Sequence, residues 1–182
     1  GRPVAEPSQD IVLGCYFATK APVGFDELLK DPKKAAQLKA FSSIAEVEMA
    51  LAQGRVSAQS AIRYCVVRDD EPNWIITTVG RVLFSAIIPK VLPFQNRDMK
   101  KKALGELVFE SYRHGGLAPT VEFLDRLKEF GFHHATRGGV SIGIEDLYIP
   151  PEKETLITEA EQRVERFEKA YQTGNITNGE RY

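Results

Sequence analysis

Residues 157–182 read ITEAEQRVERFEKAYQTGNITNGERY. Ile157, Ala160, Val164, Phe167 and Tyr171 recur at spacings of three, four, three and four, an a/d heptad stripe. Such a stripe calls for a covering helix, because a lone helix of this length is marginal in water. Gly174 suits the left-handed position after a helix end, Ile176 then falls at the tip of a sharp turn, and Asn178, Gly179 and Glu180 open a return. The expectation is an antiparallel helical hairpin of which this chain holds half, so that the 182 residues are a portion excised from a longer polypeptide. A first residue other than methionine agrees with that. The competing reading lays the seam on the chain's own body.

Upstream, Pro150 and Pro151 open the final helix and Glu152 and Glu154 occupy its first turn, where the macrodipole favours acids. VSIGIEDLYIPPEKE (140–154) reads as extended. APTVEFLDRLKEFGFHHATRGG (118–139) is a helix starting near Pro119, with Val121, Leu124, Leu127 and Phe130 on its apolar face. MKKKALGELVFESYRHGG (99–116) is another, carrying Ala103, Leu107 and Tyr112 and stopping at Gly115 and Gly116. In the first half, SQDIVLGCYFAT (8–19) predicts a short helix capped by Ser8, followed by a loop broken at Pro22, Gly24 and Pro32. SSIAEVEMALAQG (42–54) is a helix capped by Ser42 or Ser43, with Ile44, Val47 and Leu51 in one stripe and Gly54 at its end. VSAQSAIRYCVVRD (56–69) and WIITTVGRVLF (74–84) read as strands joined by a turn at DDEPN, and Pro89 and Pro93 bracket a connector. The fold class is therefore α+β, in three regions: a strand-containing body over 1–98, a helical part over 99–150, and a helical arm over 151–182.

Apolar residues make up 43% of the chain, enough for a packed core, and the formal charge of −1 proposes neither nucleic acid nor a membrane surface. No apolar run reaches the ~20 residues of a membrane span, and GRPVAEPSQD lacks the pattern of a secretion signal. Cys15 and Cys65 stand among apolar neighbours and read as two reduced core thiols, in keeping with a cytosolic setting. His133 and His134 are adjacent and would point ~100° apart on a helix, so they make poor joint metal ligands, and His114 is remote in sequence. Glu145 and Asp146 project to opposite faces of an extended segment, which argues against an acid/base pair. The glycines of TTVGRVLF, ATRGGVSIGI and QTGNITNGE fit no phosphate-binding pattern, Gly138, Gly139 and Gly143 included. The run Lys100, Lys101, Lys102 is either a solvated helix start or a phosphate contact.

Taken in order, GRPVAEPSQDIVLG, TTVGRVLF, KKALGELV, PTVEFLDRLKEFGF, ATRGGVSIGIEDL, IPPEKE and GNITNGERY resemble the bacterial β′ family of multisubunit RNA polymerase largest subunits, across nearly the whole chain. The poorest match is residues 21–42. The resemblance implies a pore domain followed by the beginning of the funnel, lining the secondary channel through which nucleoside triphosphates enter and backtracked RNA 3′ ends leave. It implies that Gln9 lies near the RNA 3′ end and incoming nucleotide. On that wall Arg81, Lys100, Lys101 and Lys102 are the further candidates for guiding anionic substrate. It implies that Tyr171, Gln172, Thr173, Gly174, Asn175, Ile176 and Thr177 form the tip that docks transcript-cleavage and related secondary-channel factors. The implied partners are the other polymerase core subunits, those factors, nucleoside triphosphates and the RNA 3′ end, with DNA met only through the parent complex and no membrane. The loop whose aspartates hold Mg²⁺ in that family has no counterpart in these residues, so no cofactor is expected on this chain and no polymerisation by it alone.

The sequence departs from the family at Ala58, Gln59 and Ser60, where Leu-His-Ala is common. It departs also at Ala118, where some relatives carry a lysine that binds a guanosine alarmone, with Glu122 following. Two other classes are compatible with the sequence: a free-standing helical adaptor that dimerises through the seam, and a small independent enzyme, for which no nucleophile–base pair is legible.

Overall fold

A computed structural model describes residues 6–68, 71–139 and 143–181, in two compact units, 1–140 and 141–182. In the first unit α1 (Gln9–Thr19) begins after Ser8, whose carbonyl, rather than its hydroxyl, takes the first turn's Ile11 N–H. The expected loop that follows contains two short helices, α2 (Phe25–Lys30) and α3 (Pro32–Ala36). The residues read as breakers start them instead. Gly24 enters α2 at φ +80°, Pro32 is the first residue of α3, and the Asp31 carboxylate accepts from the Lys33 and Lys34 N–H groups. A two-residue strand β1 (Ala40–Phe41), not foreseen, precedes α4 (Ile44–Ala52). Ser43 Oγ accepts from Glu46 N–H, and Glu46 reaches back to Ser42 N–H at 2.7 Å.

β2 (Ala61–Arg68) lies between β1 and β3 (Glu71–Thr78), parallel to the first and antiparallel to the second, with Ala61 opposite Thr78 and Tyr64 opposite Ile75. Asp69 and Asp70 of the expected turn lie outside the described residues, and its Glu71–Asn73 part is strand. The strand expected to run to Phe84 ends at Thr78, and α5 (Val79–Ile87) takes over. Thr78 Oγ1 accepts from Arg81 N–H, while Val79 and Gly80 donate to the Ser60 and Ala58 carbonyls rather than continuing the ladder. A Cβ on Gly80 would lie 1.9 Å from the Ala18 carbonyl oxygen, so only glycine permits this approach.

α5 is buried on two sides. Val79 and Val82 join Val47, Ala50, Val56 and Ile62 in one core. Phe84 and Ile88 join Cys15, Met99, Leu104, Leu107, Val108, Phe123 and Leu127 in the other. That second core draws on both sides of the boundary expected at 98/99, which therefore falls inside a packed interior. It is closed by α6 (Lys101–Gly115) and α7 (Leu117–Gly138). The buried face of α7 is Thr120, Phe123, Leu127, Gly131 and His134; Val121, expected on it, is 50% exposed. Here α1 crosses α7 with backbones in contact, since a Cβ on Gly14 would lie 1.8 Å from the Gly131 carbonyl oxygen.

Residues 140–142 of the extended passage lie outside the described residues. A 3-10 turn spans Ile144–Asp146, and 147–150 carry no regular structure. α8 (Lys153–Gln172) is followed by α9 (Asn178–Arg181). None of the α8 residues is buried: of the seam, Val164 is 67% and Phe167 52% exposed. No helix among the described residues is long and apolar enough to cross a membrane.

Candidate functional site

Arg81, one turn into α5, is only 5% exposed. Its Nε donates to the Thr19 carbonyl at 3.0 Å, one terminal nitrogen donates to the Asn96 carbonyl and side-chain oxygens at 3.3 and 3.1 Å, and the other donates to Asp98 Oδ1 at 2.7 Å. The guanidinium carbon lies 5.1 Å from the Phe25 ring centroid. Each acceptor is itself tied down. Asp98 Oδ1 accepts from Ala21 N–H, Asn96 bridges the Thr77 hydroxyl and the Ile76 carbonyl, and Thr19 Oγ1 takes Met99 N–H while donating to the Cys15 carbonyl. A planar fork donates from three separate nitrogens to three residues at once, whereas the donors of an ammonium radiate from a single nitrogen and cannot span them. The expectation that Arg81 faces a passing nucleotide meets a buried side chain that joins α1, β3 and segment 96–99.

That segment runs directly into Lys100, which flanks the first residue of α6, and sets the lysines beside α1. Ser8, Gln9, Asp10, Val12, Leu13, Tyr16, Lys100 and Lys101 line one open groove of about 670 Å³. Val12, Leu13 and Tyr16 are half-buried and Ser8, Gln9, Asp10 and the two lysines exposed, so an apolar strip is edged by polar groups. Lys100 Nζ lies 6.0 Å from the Tyr16 ring centroid. Gln9 adopts φ +48°, in the left-handed region that non-glycine residues rarely enter. Lys102 is exposed but does not line this groove. Lysines in the first turn oppose the helix dipole, so they concentrate positive potential at a small cost in helix stability. The structure thus brings together Gln9 with Lys100 and Lys101. Asp10, Val12, Leu13 and Tyr16 were missed, although Gln9, Val12, Leu13 and Tyr16 recur at i, i+3, i+4 and i+7 and form one helix face.

The other candidate, 171–177, is a closed helical turn. Thr173 ends α8 and Gly174 follows at φ +73°. Gly174 N–H donates to the Tyr171 carbonyl and Asn175 N–H to the Ala170 carbonyl, the two bonds of a Schellman motif. Thr173 Oγ1 accepts from Asn175 Nδ2. α9 then starts with a capping arrangement in which Glu180 accepts both Thr177 N–H and Thr177 Oγ1–H at 2.9 Å, holding its carboxyl below the ordinary range. Gln172, Thr173, Gly174, Asn175 and Thr177 are exposed, and Ile176 is half-buried.

The remaining sequence candidates fall into structural roles. Cys15 and Cys65 are free thiols, both buried, and burial pushes Cys15 up to about 12, which leaves it unreactive. His134 is buried against Phe130, 4.3 Å between ring centroids, and burial first, then the neighbouring His133 and Arg137, bring it down to about 4. His114 pairs with Glu110 at 2.9 Å, and Glu145 is exposed. Among the described residues no three His, Cys, Asp or Glu side chains converge to hold a metal ion. Gln59, at the position that departs from the β′ pattern, donates to the Phe17 carbonyl at 2.7 Å and ties the approach to β2 onto α1.

The first unit is thus a mixed α+β body with a buried arginine fork and a lysine-edged groove, and the second is helical with a capped turn near its end. The sequence of residues 1–147 matches the family model "RNA polymerase Rpb1, domain 3". All 182 residues are 42% identical to a stretch of the β′ subunit of DNA-directed RNA polymerase from Aquifex aeolicus, covering 11% of that protein. The β′ subunits of Pelotomaculum thermopropionicum and Stenotrophomonas maltophilia are 41% and 40% identical over the whole of this chain, covering 14% and 13% of those proteins. The chain belongs to the β′ family of DNA-directed RNA polymerase subunits, in its Rpb1 domain 3 portion, and spans between a tenth and a seventh of the length of these curated relatives.

Proposed function

We propose that this chain is a non-catalytic segment of a bacterial RNA polymerase β′ subunit that lines the secondary channel, in a nucleotidyltransferase that works in the cytoplasm with other core subunits. The observation that carries the reading is the groove shared by Gln9, Lys100 and Lys101, in a chain of this family. Two ammonium groups at the positive end of α6 draw a triphosphate or an RNA 3′ end toward the groove, and the Gln9 amide offers both a donor and an acceptor to orient it. Lys102 adds to the field from outside the groove. The Mg²⁺ of the assembled enzyme supplies the charge stabilisation of the reaction and is held by residues outside this chain. DNA is met only through the parent complex.

The turn at 171–177 is the docking tip for transcript-cleavage and related secondary-channel factors. Its support is local rigidity: a Schellman motif and a capping pair hold the segment in one shape without help from a core.

Two measurements test the assignments separately, both on an assembled polymerase carrying this segment. Lys100→Ala with Lys101→Ala is expected to raise the KM for nucleoside triphosphate several-fold with little loss of kcat at saturation, the pattern of lost uniform binding. An unchanged KM rejects the groove. Asn175→Ala and Ile176→Asp are expected to weaken the binding of cleavage factors while leaving elongation intact, and undiminished affinity rejects the tip.

A further inference from the structure

Arg81 and Asp98 form a charged pair at 2.7 Å on the path between the two halves of the groove. From the guanidinium, one bond goes to the Thr19 carbonyl at the end of α1, the helix that carries Gln9 and Tyr16. Another goes to Asp98, two residues before Lys100. The Thr19 hydroxyl closes the circuit by accepting Met99 N–H at 2.9 Å. Beside these, Ala21 N–H donates to the same Asp98 oxygen at 3.3 Å, and Arg81, which is buried, is the side chain that joins Thr19, Asn96 and Asp98 at one point. We infer that Arg81, acting through Thr19 and Asp98, is a positioning residue that holds Lys100 and Lys101 in register with Gln9. It does not itself bind the anion, because it is buried and each of its three nitrogens already donates to a protein oxygen. The inference rests on the reading of the groove as facing nucleotide.

Direct binding and positioning make opposite predictions for Asp98. Were Arg81 a phosphate ligand, removing the competing carboxylate would release it and lower the KM for nucleotide or leave it unchanged. As a positioning residue it loses its anchor, and Asp98→Ala should behave like Arg81→Lys, in which one ammonium replaces a fork that spans three residues. In the assembled polymerase both variants are expected to raise the KM for nucleoside triphosphate ~5–10-fold, a modest share of what misplacement can cost, with kcat far less affected. A second readout needs no turnover. Gln9→Cys and Lys101→Cys are bridged with a short bis-maleimide and the yield is measured by mass spectrometry, with Cys15 and Cys65 protected by burial. The yield should fall several-fold when Arg81→Lys or Asp98→Ala is added. Should Asp98→Ala prevent assembly, Asp98→Asn, which keeps an acceptor oxygen but loses the charge, should give an intermediate yield.

A bridging yield that stays the same in these variants overturns the inference, as does a KM that drops in Asp98→Ala. If Lys101→Ala alone leaves the KM unchanged, it is the nucleotide-facing reading that fails, and the bridging yield still decides whether Arg81 positions the lysines.

Discussion

Gly14 and Gly131 meet where α1 crosses α7, and the absence of two methyl groups is what lets the helices touch. A Cβ on Gly131 would lie 2.7 Å from Ile11 Cα and from the Ile11 carbonyl oxygen, which are backbone atoms that cannot turn aside. Alanine at either position gains about 1 kcal/mol of helix propensity, yet overpacking should cost more, so Gly14→Ala and Gly131→Ala are expected to destabilise the chain by about 1–3 kcal/mol in urea unfolding. One turn further along α7, buried His134 is held down to about 4 against an ordinary value of 6.5. Between those values the unfolded chain binds a proton that the folded chain refuses, so stability rises with pH across that window. The contribution is complete above about pH 6.5 and lost as pH falls toward 4, on the order of 3 kcal/mol if the whole shift is expressed. Melting temperatures measured from pH 4 to 7 should show a shallower acid limb in His134→Gln than in the parent chain. Neither glycine contact nor buried histidine can be read from one-dimensional pattern, because each depends on what the neighbouring helix presents.

Among the elements, α5 shows how burial overrides propensity. VGRVLF is rich in residues that favour strands. It folds as a helix because Thr78 caps it and because two cores need apolar side chains on both its sides. Gly24 and Pro32 mislead in the opposite sense, since residues that break a helix interior also start one. The turn at Gly174 and a return from Asn178 were legible because a Schellman motif is a local device, while the Thr177–Glu180 cap came from the structure. Gly174→Ala places a Cβ in the left-handed region and is expected to cost about 1 kcal/mol, and Thr177→Ala a similar amount through the lost cap. Far-ultraviolet circular dichroism of the double variant should report lower helicity, confined by hydrogen exchange to residues near the 171–181 turn.

For the molecule as a whole, the second core is the decisive object. Cys15, Phe84 and Ile88 are buried against Met99, Leu104, Leu107, Val108, Phe123 and Leu127, so a chain ended at 98 would expose one wall of it. Residues 1–98 alone are expected to lack a cooperative unfolding transition, whereas 1–140 should show one, as followed by near-ultraviolet dichroism and limited proteolysis. Local pattern carried the helical seam, most helix limits, two of the three strands among the described residues, the apolar character of the two cysteines and the collinear motifs of the β′ family. These depend on periodicity, capping and residue order, which are properties of neighbours along the chain. Folding in three dimensions decided the rest: the helical state of 79–87, the shared core across 98/99, the burial of Arg81, and the meeting of Gln9 with Lys100 and Lys101. Gln9 and the two lysines stand some ninety positions apart, and their sharing of one groove follows from how α1, α5, α6 and α7 jointly exclude water, a collective choice that no single stretch encodes.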